Sequence, residues 1–486
     1  MDNNKLVSSR FRYIIIHLAV CTVGLILVNG LDLQTNFRLM QIFSFWSILI
    51  YLKLLQIEIK YSKGLTLVLF YLIGCLMRVG MGGLSISIGG INNEGIFYLL
   101  NDVTDAVFPT SIWMNISYML FLASFTYFTG NRNTNIDLYV YIKKYDTFSI
   151  AIFLYILSYL LKIFPVFTFM NTLNQILGEL SRVSLLLLTF TCVYKRKPLY
   201  SIVFILTVIA EIMAGIFGGF YKGGIISPLF FVAIYFYLRN KQLDKSIFSM
   251  NLIAISVVTV FFLFSFVYPF MNEKRYRSGY DPFLGGATKD YSNMEIIEDV
   301  LAGDIKYDED NEVSDQFVNR VDAIATNSFF YKNIDKYGKH IYDFIEKSLL
   351  ISIPKILYPD KPLNDVGMMA TALAAAGNIN TMHESSYTFV GFFASMYMLG
   401  GVLGVFVLCL LNGIIIAKYY NFALDNILNP FSLLLLLVLL FSALSAYEET
   451  TTAGIASWIW NSYYIIIILF INFILKLRRS YYKYKI

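Results

Sequence analysis

Apolar runs long enough to cross ~30 Å of hydrocarbon follow one another along almost the whole chain, separated by short polar stretches and by one long one. The pattern predicts about twelve membrane spans, at 13–30, 39–57, 64–83, 107–129, 147–167, 172–194, 198–218, 224–238, 250–270, 386–417, 429–447 and 455–475. Runs of this length read as helices, because a helix satisfies every backbone N–H and C=O within one segment. The fold class is therefore all-α and polytopic. Glycine is frequent near span ends (Gly80, Gly82, Gly83, Gly218, Gly219), and no internal repeat of fixed period is visible. The long polar interruption divides the chain into nine spans over 1–270, a large loop over 271–385, and three spans over 386–486.

Composition agrees. A hydrophobic content of 57%, an aromatic content of 17% and a mean hydropathy of +0.62 lie outside the soluble globular range. The net charge of +5 is small for 486 residues and comes mostly from Lys and Arg flanking the spans, so nothing points to nucleic acid. All four cysteines (Cys21, Cys75, Cys192, Cys409) fall inside apolar spans and the long loop has none, which removes disulfides and thiolate metal sites. The first apolar run follows Lys5, Arg10 and Arg12 and lacks a small-x-small cleavage site after it, so it is expected to be a retained span.

Charge then fixes the sidedness. With the N-terminus in the cytoplasm, the short cytoplasmic segments receive 21 Lys and Arg, and the short outer loops receive 3: Arg38, Lys162 and Lys222. The long loop, which is exempt from this rule, carries 19 acids and 12 bases. Both termini are thus expected in the cytoplasm and the long loop outside.

Ionisable groups within spans are costly and usually face a bundle interior or a wet cavity. His17, Arg78, Glu179, Arg182 and Glu211 are such groups. His17 reads as a satisfied buried histidine. Glu179 and Arg182, three residues apart on one helical face, either pin two helices together or belong to a polar cavity. Arg78, Glu211, the turn residue Lys222, and Glu448 with Glu449 all fall at outer depth, and as a set they point to a cavity opening outward.

Within the loop, Asp308 to Glu312 lacks the glycine and spacing of a calcium loop and reads as solvated acid. Val313, Phe317, Val321 and Ile324, then Ile341, Phe344, Ile345 and Leu349, recur at helical spacing and predict amphipathic helices over the membrane surface. Arg320 sits beside the first of these apolar stripes. Three prolines within residues 353–362 forbid a regular helix there and leave a rigid segment carrying Lys355 and Lys361. His383-Glu384 then precedes the next span; a histidine beside a carboxylate at the lipid–water boundary could take a proton from a sugar hydroxyl.

Together, these features resemble the O-antigen and oligosaccharide repeat-unit polymerases (Wzy-type), polytopic glycosyltransferases of bacterial surface polysaccharide pathways. The residues that carry the resemblance are the string Ile353-Pro354-Lys355 to Pro359-Asp360-Lys361-Pro362, the stretch His383-Glu384-Ser385-Ser386 through Gly391 to Gly404, and the glycine-flanked turn Gly218 to Pro228 leading to Arg239-Asn240-Lys241. The layout, one large outer loop before three final spans, is also similar. The family usually has arginine in the glycine-flanked turn, where this chain has Lys222. The resemblance implies a GT-C-like helical fold in the bacterial cytoplasmic membrane. It implies transfer of a growing glycan from undecaprenyl pyrophosphate onto a new lipid-linked repeat unit at the outer face, without nucleotide or metal. Cations would then hold the pyrophosphate: Lys222, Arg275, Arg277, Arg320, Arg78 and Arg182, with Lys355 and Lys361 as further substrate contacts. His383 or Glu384 would be the first choice of base and Glu211 the second. The partners implied are the undecaprenyl-pyrophosphate-linked oligosaccharide and the lipid bilayer, and the family admits a chain-length-determining membrane protein.

Two other classes remain open: another outward-facing transferase or ligase of lipid-linked sugars, and a flippase of lipid-linked oligosaccharides. The size of the one-sided loop and the lack of inverted repeats weigh against the flippase.

Overall fold

The computed structural model describes residues 3–28, 33–62, 64–84, 104–130, 134–136, 138–163, 180–218, 227–243, 269–270, 273–274, 277, 293–302, 323–332, 346, 349–350, 353, 358, 391–446 and 455–483. In chain order the described helices are α1 (Asn3–Val28), α2 (Leu33–Tyr61), α3 (Leu67–Cys75), α4 (Thr104–Thr129), α5 (Tyr139–Lys144), α6 (Thr147–Ile163), α7 (Leu180–Lys195), α8 (Pro198–Gly218), α9 (Ser227–Gln242), α10 (Asn293–Ala302), α11 (Ala323–Lys332), α12 (Phe392–Asp425), α13 (Pro430–Leu444) and α14 (Ile455–Lys483). A π-helical turn, Leu76–Met81, extends α3. Among the described residues no strand forms beyond an isolated antiparallel bridge between Leu65 and Ile136.

Among the described residues six helices are long and apolar enough to cross a membrane: α1, α2, α3 with its π turn as far as Leu84, α4, α8 and α12. Shorter apolar stretches lie in α6, α13 and α14. These are the helices of a membrane protein. They pack into two compact units, one made of Met1–Asp137, Phe167–Gln175 and Phe317–Ile486, the other of Leu138–Val166 and Ile176–Gln316. Packing cuts across chain order, so α11, from the long polar segment, belongs to the first unit and α10, from the same segment, to the second.

In the first unit α4 is the central post. Of its apolar window 89% is buried, against 17% for α1, and α1, α2, α11 and α12 all pack on it. The α4–α12 approach depends on Gly413, where a Cβ would lie 2.6 Å from the Phe121 carbonyl oxygen. Small residues let membrane helices meet backbone to backbone. One buried polar cluster in this core is hydrogen-bonded throughout its ring and amide groups. Trp46 Nε1 can only donate, and does so to His17 Nδ1 at 3.1 Å, so His17 carries its proton on Nε2 and donates it to Asn115 Oδ1 at 2.9 Å. Tyr51 also donates to that oxygen, and Asn115 Nδ2 donates to the Ser111 carbonyl. A second proton on His17 would face the indole N–H, so the ring is locked neutral as a structural group.

One end of this unit is closed by charge. Arg10, one of the basic residues that precede the first predicted span, is 2% exposed and forms an ion pair with Glu58, which is 0% exposed. Arg10 Nε donates to Glu58 Oε2 at 2.9 Å, and Thr66 Oγ1 donates to Glu58 Oε1. Thr66 in turn caps α3, accepting from Leu69 N. Tyr420 of α12 accepts from Leu67 N and donates to the Thr134 carbonyl at 2.6 Å. The Leu65–Ile136 bridge completes the closure. Five segments, α1, α2, α3, residues 134–136 and α12, thus meet around one carboxylate.

Within the predicted span 386–417, α12 breaks. Gly400 and Gly401 leave helical geometry, and Gly401 has a φ of +58°, a conformation that strains any side chain. Phe392 to Leu399 is therefore a short half-helix set off from the rest.

In the second unit α7 is the hub: every residue from Val183 to Val193 is buried, and α5, α6, α8 and α9 pack on it. Ser184 Oγ donates to the Ala151 carbonyl, and the hydroxyls of Thr147 and Thr191 lie 2.8 Å apart, tying α6 to α7. Phe153, Ile156 and Leu160 of α6 and Ile202, Ile205, Leu206 and Ile209 of α8 are exposed, as suits a lipid-facing surface.

Removing one partner of a buried ion pair leaves the other charge uncompensated, at a cost of about 3–5 kcal/mol. Arg10→Ala is expected to lower the melting temperature of the detergent-purified protein strongly, and Arg10→Met combined with Glu58→Gln to recover most of the loss. A double variant as unstable as the sum of the two single variants would contradict this account of the closed end.

Candidate functional site

The other end of the first unit is built differently. It joins the π turn, the start of α4, the start of α12 and α11. Asp105 and Thr129, at opposite ends of α4, are about 36 Å apart at 1.5 Å per residue, so this end lies a membrane thickness from Glu58. Gly391 caps α12 without a side chain, and its first turn would leave N–H groups orphaned. Asn327 of α11 supplies the cap: its Oδ1 accepts from Ala394 N at 2.9 Å, and the residue is 1% exposed. Lys332 pairs with Asp105 at 2.9 Å on the surface.

Of the two expected amphipathic stripes only Ile324 and Leu349 fall among the described residues, and Val313, Phe317, Val321, Ile341, Phe344 and Ile345 lie outside them; Ile324 stands in α11. The α11 stripe of Ile324, Asn327, Ser328 and Phe330 is buried, and Asn327 and Ser328 make it polar in the middle, which lipid would not accept. α11 packs on α4, α12 and the π turn, so its buried face covers the bundle end. Tyr331 stacks at 5.0 Å from Tyr397 and 6.2 Å from Phe393, giving α11 an aromatic seat on the half-helix. Burial pushes the Tyr331 phenol above its ordinary range, with a hydrogen bond from Trp113 acting the other way.

Arg78 stands half-buried in the π turn at this same end. π turns are frequent at functional sites, and α11 packs against this one. The first unit therefore brings Arg78, Lys332 and a polar–aromatic wall to one end.

The second unit holds three other expected residues. Arg182 is half-buried near the start of α7, and its expected neighbour Glu179 lies outside the described residues. Glu211 is buried in α8, where the Tyr159 hydroxyl bonds its carboxylate. Arg277 requires a correction. Expected as a free cation for pyrophosphate, it is 8% exposed and held by Glu273 at 2.5 Å and Asp299 at 2.7 Å. Burial alone would lower the pKa of the guanidinium; the two carboxylates outweigh that and raise it. With both carboxylates on its guanidinium, Arg277 is a strut joining Glu273 to α10.

His383, Glu384, Lys222, Arg275, Arg320, Lys355 and Lys361 lie outside the described residues, as do Glu448, Glu449 and all of the Pro/Lys segment except Ile353 and Tyr358. Among the described residues no group of three or more His, Cys, Asp or Glu is placed to hold a metal ion. Sequence reasoning missed Asn327, whose only signal was a polar residue inside an apolar stripe.

Losing a cap costs about 0.5–2 kcal/mol, whereas an exposed ion pair contributes about 0–1 kcal/mol. Asn327→Ala is expected to lower the melting temperature more than Lys332→Ala, and thermal scans of the two purified variants check the order. The reverse order would mean that α11 is held by surface charge and not by capping.

A family model described as a domain of unknown function (DUF8712) matches residues 117–474, from within α4 to within α14. The match takes in Arg182, Glu211, the whole long polar segment and the broken helix, and leaves out Arg10, Glu58 and Arg78. No curated protein and no solved structure matches the chain. With well over half of its length matched, the chain belongs to the DUF8712 family.

Proposed function

We propose that this protein is an outward-facing membrane glycosyltransferase that polymerises lipid-linked oligosaccharide repeat units of a bacterial surface polysaccharide. On this reading about twelve helices span the cytoplasmic membrane in a GT-C-like arrangement, both termini are cytoplasmic, and residues 271–385 lie outside. The observation that carries the reading is the seating of α11. A helix from the long polar segment is built into the end of the bundle that holds Arg78, capping α12 through Asn327. A polar segment packed on the π turn that carries the half-buried Arg78 suits a substrate with a lipid tail in the bilayer and a polar glycan outside it.

The chemistry follows from a donor that is already activated. The acceptor hydroxyl attacks the anomeric carbon of the growing glycan, and the bond from that carbon to the pyrophosphate oxygen breaks. The hydroxyl proton passes to a base, His383 or Glu384. The departing lipid pyrophosphate needs fixed cations, for which Arg78, Lys222, Arg275, Arg320 and Arg182 are the candidates, with Lys355 and Lys361 as further candidate substrate contacts. Neither nucleotide nor metal has a step to perform. A chain-length-determining membrane protein is a natural partner for such an enzyme.

The test is made in cells. Deleting the gene, or replacing His383 with Ala, is expected to leave surface glycan as single repeats without a ladder on a gel. Complete loss of surface glycan with lipid-linked repeats trapped inside would instead identify a flippase. Sidedness is checked separately, since the described native cysteines are all buried. A cysteine introduced as Asn311→Cys is expected to react with a membrane-impermeant maleimide in spheroplasts, and one introduced as Ser480→Cys only after permeabilisation. The opposite pattern would invert the topology and remove the reading.

A further inference from the structure

Among the described residues three carboxylates are buried, and Glu273 holds Arg277. Glu58 has both oxygens filled, one by Arg10 and the other by Thr66. Glu211 does not. It is 7% exposed, the Tyr159 hydroxyl bonds its carboxylate, and Oε1 is enclosed without any hydrogen-bond partner. Tyr159 is itself approached by Tyr155, whose hydroxyl lies 3.4 Å from that of Tyr159 with the rings 5.0 Å apart. Tyr155, Tyr159 and Glu211 thus form a row of oxygens that runs from α6 to α8 and ends on a bare acceptor.

A structural carboxylate would not be left this way, because a buried polar oxygen without a donor costs free energy that a hydrophobic residue of similar shape would not. At membrane depth such a group marks a site by default. Glu211 stands about 19 Å along α8 from Pro198, in the half nearer Gly218. The chemistry of the row selects its ligand. A carboxylate repels phosphate, and two tyrosines flanking it provide polar edges without charge. A neutral group that brings its own O–H donor fits; a pyrophosphate does not.

We propose that Glu211, Tyr159 and Tyr155 form a hydroxyl-binding site, in which the bare oxygen of Glu211 accepts a hydrogen bond from a hydroxyl of the sugar substrate. Tyr159 is a positioning residue that fixes the other carboxylate oxygen, and Tyr155 orients the Tyr159 hydroxyl. The inference rests on the glycosyl-transfer reading above and assigns that reading a sugar-recognition element within the second unit.

The test joins two readouts on the full-length protein. Glu211→Gln keeps the shape and replaces the carboxylate by an amide. Its melting temperature in detergent is expected to equal or exceed that of the wild type. Its rate of repeat addition is expected to fall by about 10- to 100-fold, the usual worth of a hydrogen bond to a charged group. The probe is the lipid-linked repeat unit extracted from cells that lack the gene. Tyr159→Phe is expected to raise KM for that unit with kcat within about threefold of the wild type, as lost ground-state binding does. A fall in melting temperature for Glu211→Gln, or repeat addition at the wild-type rate, overturns the site. A ladder that survives gene deletion removes the glycosyl-transfer reading itself. A ladder lost on deletion but made at full rate by Glu211→Gln removes only this site.

Discussion

At membrane depth a polar group finds its partner inside the protein or has none, because lipid supplies no hydrogen bonds. That constraint organises this molecule. The Arg10–Glu58 pair satisfies it at one end of the first unit, and the elements that complete the pair also close that end: Thr66 fills Glu58 and caps α3, and Tyr420 bonds both the first turn of α3 and the segment at Thr134. The same rule explains the neutral His17, whose two ring nitrogens are taken by Trp46 and Asn115. It also explains why Asn426, Asn429 and Asn472 bond one another where α12, α13 and α14 meet.

The opposite end of that unit is where the long polar segment enters the fold. Because Gly391 has no capping side chain, the first turn of α12 relies on Asn327, and a helix from the long polar segment becomes part of the bundle. The break at Gly400–Gly401 then frees the half-helix from the direction of the rest of α12, so that its aromatic residues meet Tyr331. The half-helix, α11 and the π turn of Arg78 form one structural element.

Much of this was legible in the sequence, and the limits have physical causes. Apolar runs located the helices because length and hydropathy are local properties: the run predicted at 64–83 is α3 with its π turn, and the run at 107–129 lies within α4. The neutral role of His17 was also legible, since a lone histidine in an apolar run rarely has another. The Arg10–Glu58 pair was not, because Arg10 falls among flanking charges where a solvated role fits equally well, and its partner is 48 residues away. Asn327 was hidden for a similar reason, as its bond to Ala394 spans 67 residues. Arg277 misled in the other direction. A positive charge next to a span invites an anionic ligand, and only the fold shows that Glu273 and Asp299 already hold it. The tyrosines beside Glu211 lie on another helix, where no spacing rule reaches.

The central claim, that this protein joins lipid-linked repeat units, is tested most directly by reconstitution. Purified full-length protein in liposomes would be supplied only with undecaprenyl-pyrophosphate-linked repeat units, without nucleotide sugar or added metal, and the products followed by mass. The account predicts glycans of two and more repeats, with one lipid pyrophosphate released for each joining event. Repeat units recovered unjoined, with or without movement across the bilayer, would contradict it.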